Sequence, residues 1–338
     1  MVFASRCRGK LSLWLRRLLI IFLALECEGK TALAFFLLAE RDPVTDYREE
    51  DYRRIVDPST STRLLPGTGI EIVHDVKLPE PPEHVLFDFD GTLSLIREGW
   101  PDVMVPMMVE VLQATGTDEP PQQLHAMAHA FVMELNGKQT MYQMIRLAEE
   151  VSRRGGDPQE PSVYKDEYHR RLMLRIRSRR EELRSGRVSP ETRLVPGSVA
   201  LLTALRETGA RLYLASGTDE QYVHEEVALL GLDSFFAGRV YGAVEDYRSF
   251  SKAVVIERIL ETHAVRGARL LGFGDGYVEI QNVKAVGGTA VGVASDEQGR
   301  SGVPDPWKRE RLMGVGADVV VPDFRDFAAI LSYFWKVD

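Results

Sequence analysis

The sequence is poor in cysteine and has no excess of positive charge. Its only two cysteines, Cys7 and Cys27, stand near the amino terminus, so no disulfide can form within the rest of the chain. Such a low cysteine content is compatible with a cytosolic protein, and we expect a cytoplasmic location. The net charge of −8 argues against general nucleic-acid binding.

Long hydrophobic runs are also missing. The apolar run at residues 18–25 follows Arg16 and Arg17 and is too short to span a bilayer. Residues 1–40 are therefore predicted to be a basic and apolar extension. Two other interpretations stay open, a helix that lies on or anchors to a membrane surface and an export signal, because a basic stretch before an apolar one is typical of both.

Residues 41–83 have the composition of a linker. Its first part is rich in charge, and five prolines follow in its second part, at positions 58, 66, 79, 81 and 82. A proline-rich, polar segment cannot build a core. We therefore predict a linker with few contacts, although residues 70–74 could add a short edge strand.

Residues 85–94 read VLFDFDGTLS and place a pair of carboxylates at the end of a predicted strand. Three apolar residues fit a buried parallel strand that delivers Asp88 and Asp90 at its carboxyl end, and Gly91 and Thr92 then turn the chain. Two carboxylates one residue apart repel each other, and a divalent cation relieves that repulsion. Since hard oxygen ligands suit magnesium, the pattern predicts a Mg²⁺ site.

Three further groups of polar residues stand at predicted strand ends or helix starts. Ser216 and Gly217 follow an apolar strand, and Lys252 opens a helix with apolar periodicity. Asp275 follows another strand, with Glu279 one helical turn later. In sheets of parallel strands, ligands bind at the carboxyl ends of the strands, so these residues are candidates for one common site.

Helical periodicity dominates residues 97–194, and strands alternate with helices after them. The alternation argues for a parallel sheet covered by helices on both faces. We therefore predict an α/β fold, a doubly wound, parallel Rossmann-like sheet with an inserted α-helical domain. The predicted helices of the insertion cover residues 102–114, 122–135, 140–153 and 164–183. The predicted strands after it cover residues 211–215, 238–242, 269–273, 289–294 and 318–321, with helices near 197–208, 219–230, 251–263, 277–286 and 326–334.

The four motifs, in this order, resemble those of the haloacid dehalogenase-like hydrolases, a superfamily of aspartate-nucleophile phosphatases and their relatives. The resemblance covers residues 84 to about 323. It implies that Asp88 is the nucleophile and that Asp90 protonates the leaving alkoxide and then activates water. It implies further site residues: Ser216 and Lys252 in catalysis, Thr92 and Gly217 in substrate binding, and Asp88, Asp90, Asp275 and Glu279 as ligands of Mg²⁺.

The helical insertion resembles the cap that many members of this family carry after the first motif. It implies a core domain at residues 84–96 and 195–338 and a cap domain at residues 97–194. In such caps the loop between the second and third helices reaches into the active site, so Lys138 and Gln139 are expected to meet the leaving group. The alternative is an ordinary capped turn with a solvated lysine.

Among capped members, this chain resembles those of the phosphoglycolate phosphatase and β-phosphoglucomutase types. They imply Mg²⁺-dependent hydrolysis of a small phosphomonoester, a sugar or organic-acid phosphate, by a monomer or homodimer. Two residues depart from the pattern: Glu279 stands where many relatives have aspartate, and Ala253 where phosphoglycolate-type relatives have proline. Two alternatives stay open, a phosphomutase and a non-catalytic or membrane-tethered binding protein on the same fold.

Overall fold

Eight strands form one sheet in the part of the chain that the structure describes, residues 51–335 except 58 and 265. The structure is a computed structural model. In chain order the strands are β1 (Arg63–Leu64), β2 (Glu71–Ile72), β3 (His84–Phe87), β4 (Arg211–Asp219), β5 (Val240–Ala243), β6 (Leu270–Gly274), β7 (Thr289–Val293) and β8 (Val319–Val321). Their order across the sheet is β1-β2-β8-β7-β6-β3-β4-β5. The six strands from β8 to β5 are parallel, and β1 and β2 are antiparallel to their neighbours.

Strand β3 lies inside the sheet and separates two apolar clusters. It pairs in parallel with β4 on one side and β6 on the other, in register from His84 to Phe87. Val85 and Phe87 belong to one cluster and Leu86 to the other, as the alternation of side chains along a strand requires. Because both faces are buried, residues 85–87 of β3 are all apolar, and the first polar residue after them, Asp88, stands at the carboxyl edge of the sheet.

Eleven α-helices accompany the strands within the described residues. They are α1 (Pro101–Gln113), α2 (Pro121–Glu134), α3 (Thr140–Arg153), α4 (Pro161–Arg184), α5 (Ser198–Glu207), α6 (Glu220–Leu229), α7 (Asp233–Phe236), α8 (Lys252–His263), α9 (Tyr277–Ala285), α10 (Pro306–Gly314) and α11 (Phe327–Phe334). Residues of α1 to α6 contribute to the cluster of Phe87, and residues of α8, α9 and α10 to that of Leu86. Helices thus cover both faces of the sheet, and the predicted α/β fold is confirmed.

Four helices, α1 to α4, form the predicted insertion between β3 and β4. The prediction at residues 140–153 coincides with α3, and the others differ from α1, α2 and α4 by a few residues at their ends. Prolines at the first positions of α1, α2 and α4 explain where those helices begin, because proline has no N–H to lose there and its φ angle is already helical. The insertion occupies the place predicted for the cap.

Two helices of the core, α10 and the four-residue α7, have no counterpart among the predictions. A run of charged residues occupies the middle of α10, and its buried residues are only Lys308, Leu312 and Gly314, so it lacks an apolar periodicity. Its start is fixed instead by local capping. The side chain of Asp305 accepts a hydrogen bond of 2.8 Å from the backbone N–H of Lys308, and Pro306 occupies the first turn.

The prediction of a linker is wrong for residues 63–78. Strand β2 pairs with β8, which confirms the short strand expected within residues 70–74, and β1 lies outside β2. Ile70 and Ile72 are 1% and 3% exposed and join the core. The backbone N–H of Val76 donates a hydrogen bond of 3.0 Å to the hydroxyl of Tyr333. Two apolar residues among charged ones are enough to form β2 because the otherwise unpaired edge of β8 provides the backbone groups with which it pairs.

No helix within residues 51–335, positions 58 and 265 aside, is both long and apolar enough to cross a membrane. The predicted extension at residues 1–40, with its membrane-surface and export alternatives, lies outside the described residues.

Candidate active site

A cavity of about 90 Å³ lies at the carboxyl edge of the sheet, between the core and the helical insertion. Its lining includes residues from each of the four predicted motifs: Asp88, Asp90, Ser216, Gly217, Lys252 and Asp275. They come from the ends of β3, β4 and β6 and from the start of α8. The prediction that these residues share one edge of the sheet describes the structure well, because parallel neighbours must end at the same edge.

Lys252 binds the side chain of the predicted nucleophile. Its Nζ donates a hydrogen bond of 2.8 Å to Oδ1 of Asp88 and forms a second ion pair with Glu279. Lys252 is placed by the start of α8, where the hydroxyl of Ser251 accepts a hydrogen bond from the N–H of Val254 and caps the helix. Lysine at this buried position is 2% exposed, so its charge depends on these two carboxylates.

Burial raises the pKa of Asp88 to about 6. The ammonium of Lys252 opposes this rise, and the charge of Asp275 adds to it. The same cavity therefore concentrates negative charge around Asp88 and partly offsets it with one lysine. A group that brings positive charge into the cavity would favour the ionised, nucleophilic form of Asp88.

Asp90 is held on two sides. The hydroxyl of Thr218 donates a hydrogen bond of 2.9 Å to its Oδ2, and the guanidinium of Arg97 lies 3.7 Å from its Oδ1. Burial raises the pKa of Asp90 to about 7, with Arg97 opposing the rise. A carboxyl group that exchanges its proton near neutral pH suits an acid and base of catalysis.

Arg97 is buried beside Asp90 and is paired with a second carboxylate. Its Nε and Nη2 donate two hydrogen bonds, each 3.0 Å long, to the carboxylate of Glu226. The side chains of the two residues are 6% and 0% exposed. Glu226 lies on α6, 129 positions from Arg97, and no motif marks it. The pair fixes the guanidinium beside Asp90.

Asp275 stands opposite Asp88 and is held by its surroundings. Its backbone N–H donates a hydrogen bond of 2.9 Å to the hydroxyl of Thr92. Gly91 has a φ of +74°, and a Cβ there would collide with the carboxylate of Asp275. Glycine is therefore required at position 91 both by the backbone and by the close approach of Asp275.

A second buried lysine, Lys308, binds Asp275. Its Nζ lies 2.8 Å from Oδ2 of Asp275 and 2.7 Å from Oε1 of Glu297, and it donates to Oγ of Ser295 at 3.0 Å. Ser295 in turn donates to the carbonyl of Gly91 at 2.6 Å. Sequence patterns did not indicate this lysine, because it reaches the site from α10 only through the pairing of β7 beside β6.

The loop between α2 and α3 of the insertion enters the site, as predicted. Gly137 packs against Gly276, and the carbonyl of Lys138 lies 3.0 Å from where a Cβ on Gly217 would stand. The Nζ of Lys138 binds Oδ1 of Asp51 at 2.7 Å, so the lysine is not a solvated one. Its direct contact with a leaving group stays a prediction.

Three predicted site residues lie behind the cavity lining among the described residues. Thr92 accepts the hydrogen bond from Asp275, and Glu279 pairs with Lys252. The side-chain amide of Gln139 donates to the carbonyls of Tyr247 and Phe250, at 3.0 and 2.7 Å, next to the start of α8. For Thr92, Gln139 and Glu279, these contacts support a role in positioning other site residues, which differs from the direct binding expected of them.

The donor set for a metal ion is smaller than predicted. Within residues 51–335, leaving out 58 and 265, no three acidic, histidine or cysteine side chains gather in a group that could hold a metal ion. Mg²⁺ is, however, commonly bound through one or two carboxylates, with waters and substrate phosphate oxygens completing its octahedron. Asp88 and Asp275 line the same cavity, and Oδ1 of Asp90 is buried without a hydrogen-bond partner. These oxygens fit a Mg²⁺ ion.

The family model of the haloacid dehalogenase-like hydrolases matches residues 82–287. The match covers more than half of the chain, and the protein belongs to this family of hydrolases. The expected family is thus confirmed. A search of curated proteins finds no significant match.

Several solved structures have a similar fold. A predicted phosphoglycolate phosphatase from Haemophilus somnus 129pt is 17% identical, with a TM-score of 0.49, and the match covers 75% of this chain and 100% of that one. A β-phosphoglucomutase from Clostridium difficile is 15% identical, with a TM-score of 0.49, and the match covers 75% of this chain and 97% of that one. A predicted phosphatase from Clostridium acetobutylicum is 16% identical, with a TM-score of 0.49, and the match covers 74% of this chain and 99% of that one. At these identities the likeness concerns the fold alone.

Proposed function

We propose that this protein is a Mg²⁺-dependent phosphomonoester hydrolase that acts on a small phosphorylated metabolite through an aspartyl-phosphate on Asp88. The observation that carries the proposal is the single cavity lined by Asp88, Asp90, Ser216, Lys252 and Asp275. It combines a nucleophile, an acid, and a cation that touches the nucleophile. Phosphoryl transfer requires little more than such positioning and charge compensation.

In the first step, a carboxylate oxygen of Asp88 attacks phosphorus. Because Oδ1 is bonded to Lys252, the attack falls to Oδ2. The new bond joins Oδ2 to phosphorus, and the bond between phosphorus and the ester oxygen breaks. Asp90 gives its proton to the leaving alkoxide, so the product leaves as a neutral alcohol. Thr218 and Arg97 hold Asp90 in place for this transfer.

In the second step, Asp90 accepts a proton from a water molecule that attacks the phosphorus of the aspartyl-phosphate. The bond between phosphorus and Oδ2 of Asp88 breaks, inorganic phosphate is released and Asp90 is again protonated. The same carboxyl group can serve in both steps because burial raises its pKa to about 7, near the pH at which such an enzyme works.

The phosphoryl group needs donors and positive charge on its other oxygens. Ser216 and the backbone at Gly217 line the cavity beside Asp88, just before the start of α6, where the helix dipole favours an anion. Lys252 supplies one full charge. When bound by Asp88 and Asp275, Mg²⁺ would supply two more charges and lower the repulsion between the carboxylates and the phosphate dianion.

The experiment compares full-length wild-type protein with Asp88→Asn on p-nitrophenyl phosphate in the presence of Mg²⁺. We expect kcat to fall by about three orders of magnitude or more, because a carboxamide cannot form the intermediate. Asp118→Asn, an exposed aspartate of the insertion, serves as the control and should keep the wild-type rate. An Asp88→Asn variant that retains more than about a tenth of the rate would contradict the proposal.

A rapid quench with substrate carrying a radiolabelled phosphoryl group distinguishes hydrolysis from its alternatives. Label on the peptide that contains Asp88, followed by its release as inorganic phosphate, supports hydrolysis. Return of the label to a sugar hydroxyl would identify a phosphomutase instead. Absence of both label and turnover would indicate a protein that binds without catalysis.

A further inference from the structure

Three cationic side chains line the cavity among the residues that the structure describes, and each has a carboxylate partner. They are Lys252, Arg97 and Lys138. Lys252 is paired with Asp88 and Glu279. Arg97 is held by both carboxylate oxygens of Glu226, and Lys138 binds Asp51 at 2.7 Å. Because each of these cations already has a carboxylate partner, a second anion on a substrate would have to compete with that carboxylate for it.

Carboxylates outnumber cations in the cavity. Besides the three aspartates of the motifs, Glu98 and Glu297 belong to the lining. Glu297 is paired with Lys308 at 2.7 Å, whereas among the described residues the carboxylate of Glu98 is paired only with Arg179, at 3.7 Å. When the partners outside the lining are counted as well, the acidic groups still exceed the basic ones. Glu98 follows Arg97 directly and stands on the side of the insertion.

The wall that the insertion presents is uncharged apart from these groups. Trp100, Met104 and Tyr168 contribute aromatic and apolar surface, and Asn136 and Thr140 contribute neutral hydrogen-bonding groups. Rings of this kind pack against the C–H faces of a polyol, and amides and hydroxyls can pair with its hydroxyl groups. Among the described residues, an anionic leaving group would meet on this side no cation without a carboxylate partner.

We infer that the cavity selects phosphomonoesters whose leaving group is an uncharged, hydroxyl-rich alcohol, and that it discriminates against leaving groups with a carboxylate or a second phosphate. The inference rests on the proposed function and narrows it from sugar or organic-acid phosphates to the neutral class. Discrimination of this kind comes from repulsion as much as from attraction, because the shared phosphoryl group is bound in the same way in both classes.

The test uses two pairs of substrates that differ mainly by one carboxylate. Glycerol 3-phosphate is compared with 3-phosphoglycerate, and glucose 6-phosphate with 6-phosphogluconate, using full-length protein with Mg²⁺. The ratio of kcat/KM within each pair is measured. We expect the neutral member to be preferred by at least about tenfold in one pair or both, a difference of about 1.4 kcal/mol in transition-state binding. An active enzyme that prefers the carboxylate member, or that hydrolyses neither neutral substrate, overturns the inference.

The substitution Glu98→Gln tests the source of the discrimination. It removes one negative charge from the lining and keeps the volume of the side chain. We expect the preference for the neutral member to fall at least about threefold, through a gain on the anionic substrate. Glu207→Gln, an exposed glutamate on α5 outside the lining, is the matched control and should leave the ratio unchanged. An unchanged ratio in Glu98→Gln would contradict the role of this carboxylate.

Hydrolysis of p-nitrophenyl phosphate distinguishes failure of the proposed function from failure of the inference on the leaving group. If wild-type protein does not hydrolyse this ester, the proposed function fails and no statement on selectivity survives. If it does hydrolyse the ester but favours the anionic metabolites, the hydrolase assignment stands and the inference on the leaving group is refuted.

Discussion

The ion pair between Arg97 and Glu226 offers a sharp test of how the site is held together. Both side chains are nearly inaccessible to solvent, at 6% and 0% exposure, and two hydrogen bonds of 3.0 Å join them. The substitution Glu226→Gln keeps the shape of the side chain but replaces one acceptor oxygen by an NH₂ group. That group then faces an N–H of Arg97, so one hydrogen bond is lost and a buried guanidinium keeps only Asp90, at 3.7 Å, as an anionic partner.

The expected loss of stability follows from the burial. Removing one partner of a buried ion pair costs about 3–5 kcal/mol, because the remaining charge stays desolvated. For a chain of this size, each kcal/mol lowers the melting temperature by roughly 2 °C, so we expect a decrease of roughly 6–10 °C. The pair of Arg146 and Glu149 serves as the contrast, since its side chains are 36% and 52% exposed. Glu149→Gln should cost less than about 1 kcal/mol.

The assay is thermal unfolding of full-length protein at one pH and ionic strength, with urea unfolding as an independent measure. A decrease in melting temperature of less than about 2 °C for Glu226→Gln, equal to that of Glu149→Gln, would refute the reasoning on buried charge. The double substitution Arg97→Met with Glu226→Leu provides the complementary result. Because it removes both charges and fills the space with apolar atoms, we expect it to recover most of the lost stability.

Four further predictions follow from other contacts. Burial lowers the pKa of His169 to about 4 from 6.5, so unfolded His169 binds a proton in a window where the folded one does not. Stability that is present above pH 6.5 is therefore lost as the pH falls. In urea titrations, the free energy of unfolding of His169→Gln relative to that of wild type should rise by about 2 kcal/mol between pH 7 and pH 5. Lys308→Met should lower the melting temperature in Mg²⁺-free buffer, since it leaves two partly buried carboxylates, those of Asp275 and Glu297, without their ammonium; an unchanged value would contradict this. Asp275→Ala should abolish any shift in melting temperature caused by Mg²⁺, which differential scanning fluorimetry would show. Deletion of residues 1–80 removes β2 and the buried Ile70 and Ile72, and should cost at least about 3 kcal/mol in urea unfolding.

The strands and the insertion could be predicted because their signals are local. The apolar residues that precede Asp88 mark β3 within a few positions, and the helical spacing of Met144, Leu147 and Val151 marks α3. The catalytic candidates could be predicted for the same reason, since each stands directly after a strand or at a helix start. Parallel pairing then brings them together without further information from the sequence.

The second strand of the sheet could not be predicted with the same ease. Strand β2 has two residues, Glu71 and Ile72, within a segment of charge and proline. Such a pattern has no periodicity of its own, and the pairing depends on the free edge of β8, almost at the other end of the chain. The ion pair between Glu71 and Arg309, on α10, depends on the same long-range arrangement.

The residues that the motifs revealed and those they missed differ in their physical role. In the proposed mechanism Asp88, Asp90 and Asp275 carry the chemistry, and their types follow from what that mechanism requires at a phosphate. Once these carboxylates are buried together, any cation that lies near them lowers the free energy of the folded state. Arg97 and Lys308 meet this need from the insertion and from α10, and cations at other places could have met it equally well. Because the requirement is for charge near a point in space and not for a residue at a position in the chain, it leaves no motif, and only the three-dimensional structure reveals it.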